Sequence, residues 1–287
     1  MDSPQPKTFL ATLNFWRGSE NGGTDEYRLG TGNDTNVNTY FQADVLMTDV
    51  RGHEHEFKLD KHGFQFVKHR SNFGRNGEWR DRDKLNEVYY AELRDLIKKH
   101  TGATTVIPRG RVVRDEKLAT GDPISGERKR IGPYATLAHV DFSYTGARQY
   151  IEAWGPEAVA KAMKCRWAII ATWRPIIKTA TRMPLGICDA SSIGDEDLRE
   201  VMGMTKGRGQ SGRPPAYMWM MEKPRSPDQH RWLYMSDMKP EDAVLMKFFD
   251  TREDVARRTP HSAFETPFDH GPERSSLEVR SLVLWED

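Results

Sequence analysis

The residues with the clearest capacity for chemistry are His139 and Asp141 in "YATLAHVDFS", residues 134 to 143. The stretch alternates apolar and polar residues, which predicts a strand. Side chains at i and i+2 of a strand point to one face, so an imidazole and a carboxylate are aimed at a common point. On these residues alone, an exposed or cross-strand polar pair serves as well as a metal site. A third donor would separate the two. Two His and one carboxylate on one face of Fe(II) leave positions open for a co-substrate and O2. His261, in "RRTPHSAFETP", is the best candidate. It follows the strong strand pattern "AVLMKFFD", precedes the final strand, and has Pro260 stiffening the chain before it. A surface-loop histidine is the alternative.

The last strand, "ERSSLEVRSLVLW", adds a second constellation. Period-two alternation puts Arg274, Ser276, Glu278 and Arg280 on one face and Ser275, Leu277 and Val279 on the other. Two arginines on a face turned into a barrel need anions, because a buried charge is costly without a partner. Glu278 can serve one. A dicarboxylate co-substrate can serve the other through bidentate guanidinium contact. A solvent-facing edge strand is the competing reading.

The elements that would position these groups are mostly strands. "TFLATLNFW" reads as a first strand. "ADVLMTDVRGHEHEFKLDKHGFQFVKHR" reads as three strands with turns at Arg51-Gly52 and His62-Gly63. "RDKLNEVYYAELRDLIKKHTGA" has helical spacing, closed by a basic turn and Gly102. "TTVIPRGRVVRD" resumes strand. "GARQYIEAWGPEAVAKAM" is helical with a break at Gly155-Pro156, and "RWAIIATWRPI" is a buried strand. "DEDLREVM" is expected as a short helix. "AYMWMMEKP" and "HRWLYMSDM" are expected to pair around a turn. "EDAVLMKFFD" and the arginine-bearing segment complete the set. Strands with few helices between them predict a sandwich or barrel decorated by helices. No linker splits the chain, so a single domain is expected over 1–287.

Composition narrows the function. Lys and Arg number 43 against 42 Asp and Glu, a balance that gives no support to nucleic-acid binding. The basic run "KHRSNFGRNGEWRDRDK" is interrupted by acids and reads as a solvated loop. Two cysteines, Cys165 and Cys188, exclude a disulfide scaffold and Cys-rich zinc sites. The longest apolar run, "WAIIATW", is too short to span a bilayer. The N-terminal residues have no basic and apolar leader pattern, so a soluble cytoplasmic protein without a membrane partner is expected. Oligomeric state is left open, with a homodimer one option.

The motifs also occur in a telling order. "HVDFS", "ATWRPI", "PLGICDASS", "MSDMKPEDAVLMKFFDTR", "TPHSAF" and "RSSLEVRSLVL" follow one another along most of the chain. In this the sequence resembles the fungal hydroxylase/desaturase family related to gibberellin desaturase and to the small component of the cephem 7-methoxylase. That family belongs to the Fe(II)- and 2-oxoglutarate-dependent oxygenases. The resemblance implies a double-stranded β-helix (jelly-roll, cupin-like) core over 111–287, on which the strands and helix of 1–110 pack. It implies Fe(II), 2-oxoglutarate and O2, with His139, Asp141 and His261 as iron ligands. Arg274, thirteen residues after His261, would anchor the distal carboxylate of 2-oxoglutarate. Arg280 is the second choice for that role and otherwise a substrate contact. Trp173 and Arg174 of the "WRP" motif are substrate-site candidates. The long separation of Asp141 from His261 suggests a lid at 203–230. The implied reaction oxidises an unactivated C–H bond of a natural-product or amino-acid-derived small molecule, by hydroxylation, desaturation or oxidative cyclisation.

Two other functions compete: a cupin-like metal enzyme that does not use 2-oxoglutarate, and a non-catalytic accessory subunit of an oxygenase pair. The rival histidines are expected to be uninvolved. His53 and His55 flank a turn in a charged hairpin. His62 and His69 fit a surface strand as well as a substrate entrance. Trp167, Trp173, Trp219, Trp232 and Tyr234 are more often core than pocket.

Overall fold

The computed structural model describes residues 7–28, 40–73, 81–115, 131–132, 134–204 and 216–286. Fifteen strands are described: β1 (Thr8–Trp16), β2 (Glu26–Arg28), β3 (Tyr40–Asp49), β4 (Phe64–Lys68), β5 (Thr105–Asp115), β6 (Ile131–Gly132), β7 (His139–Val140), β8 (Arg166–Pro175), β9 (Leu185–Cys188), β10 (Leu198–Met204), β11 (Ala216–Met221), β12 (Trp232–Tyr234), β13 (Asp242–Asp250), β14 (His261–Ala263) and β15 (Ser275–Trp285). They form a nine-stranded sheet in the order β1-β3-β12-β9-β14-β7-β11-β10-β2. A six-stranded sheet runs β4-β13-β8-β15-β5-β6. Early and late strands are interleaved in both sheets.

Burial follows from alternation along the central strands. In β8, Trp167, Ile169, Ala171 and Trp173 turn inward, where they meet Val140, Leu185, Ile187 and Leu233 of the larger sheet. Ala168 and Ile170 turn outward, beneath Leu93, Leu96 and Ile97. Those three residues are the buried stripe of a helix built from α2 (Arg82–Lys84), a π turn (Leu85–Tyr89) and α3 (Tyr90–Thr101), which Gly102 ends at φ 70°. Because β8 is covered on both faces, it reads as a nearly continuous apolar run.

Two bulges shape the interior. Gly110 (φ 76°) is the extra residue in β5 opposite Val279 and Arg280 of β15. Phe248 is the extra residue in β13 opposite Ile169 and Ile170 of β8. A bulge re-aims a side chain that strict alternation would point elsewhere. Here Phe248 turns inward beside Phe249, while Lys247 lies buried against Asp250 (2.7 Å) and Asp60 (2.5 Å).

Several expectations are corrected by tertiary pairing. "DEDLREVM" is a 3-10 turn at Asp195–Asp197 followed by strand β10, not a helix. The i, i+3 spacing of its buried Leu198 and Val201 suggests a helix, but pairing with β11 makes it a strand, in which the two point to opposite faces and join different apolar clusters. Residues 54–62 are not a middle strand. They form a 3-10 turn at Glu54–Glu56 and the short helix α1 (Leu59–His62), capped by Gly63 at φ 84°. The segments at 216 and 232 do not pair with each other: β11 lies between β10 and β7, and β12 between β3 and β9. The break at Gly155-Pro156 falls as read, between α4 (Tyr144–Glu152) and α5 (Pro156–Ala162). Of the stretch expected as a lid, 205–215 lie outside the described residues, as do 74–80 of the basic run. No described helix is long and apolar enough to cross a membrane.

Candidate metal centre

The larger sheet carries the histidines. β14 pairs antiparallel with β7, and His261 stands directly opposite His139. Directly opposed residues bring their side chains within about 5 Å at Cβ, and the two ring centroids are 4.5 Å apart. Asp141 follows β7 by one residue and returns to the same side, with Oδ1 3.2 Å from His139 Nε2. One donor atom from each of His139, Asp141 and His261 lies within 4.8 Å of the other two.

The backbone fixes which nitrogen each ring offers. His139 Nδ1 donates to the Leu137 carbonyl at 2.6 Å, and His261 Nδ1 donates to the Thr259 carbonyl at 3.2 Å. A carbonyl only accepts, so each Nδ1 holds a proton, and Nε2 is the nitrogen each ring can offer a metal. Outer hydrogen bonds of this kind orient metal-binding imidazoles. Phe248, turned inward by its bulge, stacks on His261 at 5.2 Å and 11°. Burial, and then the neighbouring His139, pull the His261 pKa down to about 3. It is therefore neutral at ordinary pH. Burial alone would push the Asp141 carboxyl up, but the charge of Arg280 and the contact with His139 outweigh it. The carboxyl stays well below the usual range. A divalent metal requires neutral imidazoles and an ionised carboxylate, and the donor set fits one bound through N and O.

The centre opens into a pocket whose free space, with the open solvent at its mouth included, is about 440 Å³. β15 supplies one wall, and Arg274, Ser276, Glu278 and Arg280 all face it, as their shared strand face predicts. Trp173, Leu185, Ala135 and Ala263 contribute apolar walls.

The two arginines differ. Arg274 is only 3% exposed. It donates to the Met183 carbonyl, lies over the Tyr134 ring at 4.4 Å and faces Trp173 at 5.1 Å. Among the described residues no carboxylate forms an ion pair with it, and its Nε has no hydrogen-bond partner. Burial lowers its pKa to about 10, so it stays charged. Arg280 is instead paired twice: Nη2 with Asp141 Oδ2, and Nε with Glu278 Oε1 at 3.1 Å. Burial and then the Asp141 charge push Glu278 up to about 7, against the pull of Arg280.

Arg174 is not brought to the pocket. It follows Trp173 in β8 and so points to the opposite face, where its guanidinium lies over Tyr89 of the π turn at 5.4 Å. His53 pairs with Glu56 (2.8 Å) and His69 lies 3.7 Å from Glu92, while His62 packs on Phe57; none of the three lines the pocket. Trp167 and Trp232 are core. Tyr134, Val112 and Arg114 were not singled out by the sequence. The first lies within the opening stretch, and its hydroxyl donates to the Arg274 carbonyl at 2.6 Å. The other two reach the pocket only because β5 pairs with β15.

Comparison with known proteins places this architecture. The Oxidoreductase/YMDC permease-like domain family matches residues 13–284. The hydroxylase/desaturase efuI of Hormonema carpetanum is 36% identical over 99% of this chain and 97% of its own. The chain belongs to the fungal hydroxylase/desaturase family. A further relative is the alpha-ketoglutarate-dependent dioxygenase tstK of Talaromyces stipitatus, 31% identical over 85% of each chain. The fold is that of the iron and alpha-ketoglutarate-dependent endoperoxidase NvfI, with a TM-score of 0.79 at 22% identity over 98% of this chain and 99% of that one. The family's oxygenase fold is thus formed by the same sheets that bring His139, Asp141 and His261 together.

Proposed function

We propose that this protein is a non-haem Fe(II)/2-oxoglutarate-dependent oxygenase acting on a small-molecule substrate. The reading rests on one observation above all: three donors converge, and both imidazoles are held so that Nε2 faces the common point. His139 and His261 would hold the iron through Nε2, and Asp141 through a carboxylate oxygen. The bound metal, with 2-oxoglutarate and O2, supplies the oxidant for an unactivated C–H bond, 2-oxoglutarate leaving as succinate and CO2.

The chain's own share is placement. Arg274 would receive the distal carboxylate of 2-oxoglutarate. It is a buried cation with no carboxylate partner among the described residues, and a guanidinium binds a carboxylate with two parallel hydrogen bonds. Trp173 and Tyr134 flank it and keep water from that ion pair, which strengthens it. Residues 1–287 are read as one functional unit, supported by the interleaving of early and late strands. Hydroxylation and desaturation, the two activities in the name of the efuI relative, are open to this arrangement, and so is oxidative cyclisation.

The test is succinate release from 2-oxoglutarate with Fe(II) and a panel of candidate substrates. Release that requires Fe(II) and 2-oxoglutarate, and is lost in Asp141→Ala, is the expected result. Full turnover by Asp141→Ala would refute the assignment.

A further inference from the structure

We infer that Arg280 is a positioning residue that divides the work of the Asp141 carboxylate, keeping Oδ2 for itself and presenting Oδ1 to the metal. The inference rests on the reading of His139, Asp141 and His261 as the metal ligands. The two oxygens of Asp141 have different neighbours. Oδ1 faces the imidazoles, 3.2 Å from His139 Nε2. Oδ2 is ion-paired with Arg280 Nη2. Arg280 is itself restrained, because its Nε donates to Glu278 Oε1 at 3.1 Å and its guanidinium carbon lies 5.5 Å from the centre of the Phe142 ring. Glu278 and Arg280 stand two apart on β15, so they share a face, and Asp141 meets them from the opposite sheet. A planar guanidinium held on one side by Glu278 has a fixed fork for the second carboxylate.

This arrangement has a chemical consequence. A carboxylate with both oxygens free can grip a metal through one or both. Engaging Oδ2 in an ion pair with a guanidinium favours the one-oxygen mode. One oxygen and two imidazoles take three positions, and the rest stay free for co-substrate and O2. Arg280 therefore acts through Asp141, which separates its role from that of Arg274.

The experiment uses Co(II) as probe, without 2-oxoglutarate, so that a direct contact between Arg280 and the co-substrate cannot contribute. Ligand-field spectra are recorded for the parent protein, Arg280→Gln, Arg280→Lys, Glu278→Gln and, as a control, His261→Ala. Far-UV circular dichroism checks the fold of each. The expected result is a shift of the visible bands in Arg280→Gln. Arg280→Lys, which keeps a charged donor, should restore them towards the parent, and Glu278→Gln should give a smaller shift in the same direction. Parent-like spectra in both Arg280 variants and in Glu278→Gln overturn the inference. Loss of the Co(II) spectrum in His261→Ala alongside that result would leave the metal-centre reading standing. An unchanged spectrum in His261→Ala would instead sink the metal-centre reading itself.

Discussion

His261 and His139 are direct cross-strand partners, and this pairing of β14 with β7 joins two residues 122 positions apart in the chain (261 − 139). A single register therefore sets the spacing of both imidazoles. His261→Ala should remove a proposed metal ligand and leave the sheet intact, because Ala keeps the backbone pairing. Mn(II) affinity, measured by calorimetry, should fall by more than about 100-fold, beyond the usual cost of losing an outer-shell partner. Succinate release should be lost with it.

Arg274 is the proposed seat of the co-substrate. Truncating one partner of a buried charge pair costs about 2–5 kcal/mol, or at least about 30-fold in affinity. Arg274→Ala should raise the KM for 2-oxoglutarate by at least that factor while leaving Mn(II) binding in its absence close to the parent's. If Arg280→Ala raised that KM and Arg274→Ala did not, the two arginines would have exchanged roles.

Gly146 is where α4 lies against β11. A Cβ at that position would stand 1.9 Å from the Tyr217 carbonyl oxygen, which is backbone and cannot yield as a side chain would. β11 in turn pairs with β7, the strand that carries His139. Gly146→Ala should therefore destabilise the protein by about 1–3 kcal/mol through overpacking. It should also weaken Mn(II) binding, an effect that thermal denaturation and calorimetry would detect together.

Asp242 gives a pH prediction. It is buried and held by Lys68, by the Lys239 amide at 2.9 Å and by Arg51 at 3.5 Å. Burial alone would push its carboxyl up, but these partners outweigh it and the pKa lies below the usual 3.8. A carboxyl depressed in the folded state adds stability that is present above 3.8 and is lost as pH falls through the folded value. Urea midpoints of the parent should fall below pH 4. Asp242→Asn should start lower at pH 6 and lose less over the same acid range. Equal acid slopes would contradict this.

The inner face of β15 was legible because period-two alternation needs no tertiary information: Arg274, Ser276, Glu278 and Arg280 all line the pocket. The same rule, applied to β8, sends Arg174 away from Trp173 and explains why it never reaches the centre. Pairing partners were less legible. β12 is only three residues long and could have paired with β11, yet it lies between β3 and β9. Short strands carry too few side chains to specify a neighbour, so the rest of the sheet chooses it.

By itself the sequence determined the alternation of its strands, the long helix that ends at Gly102, and the residue types that could hold a metal and an anion. Those depend on local spacing and on the chemistry of single side chains. The tertiary structure decided what lies opposite what. The register of β14 on β7 brings His261 to His139. The bulge at Phe248 places a ring on His261. The facing of the two sheets gives Arg280 to Asp141 and leaves Arg274 without a carboxylate among the described residues. These contacts join residues far apart in the chain, and only the burial of a shared core fixes them.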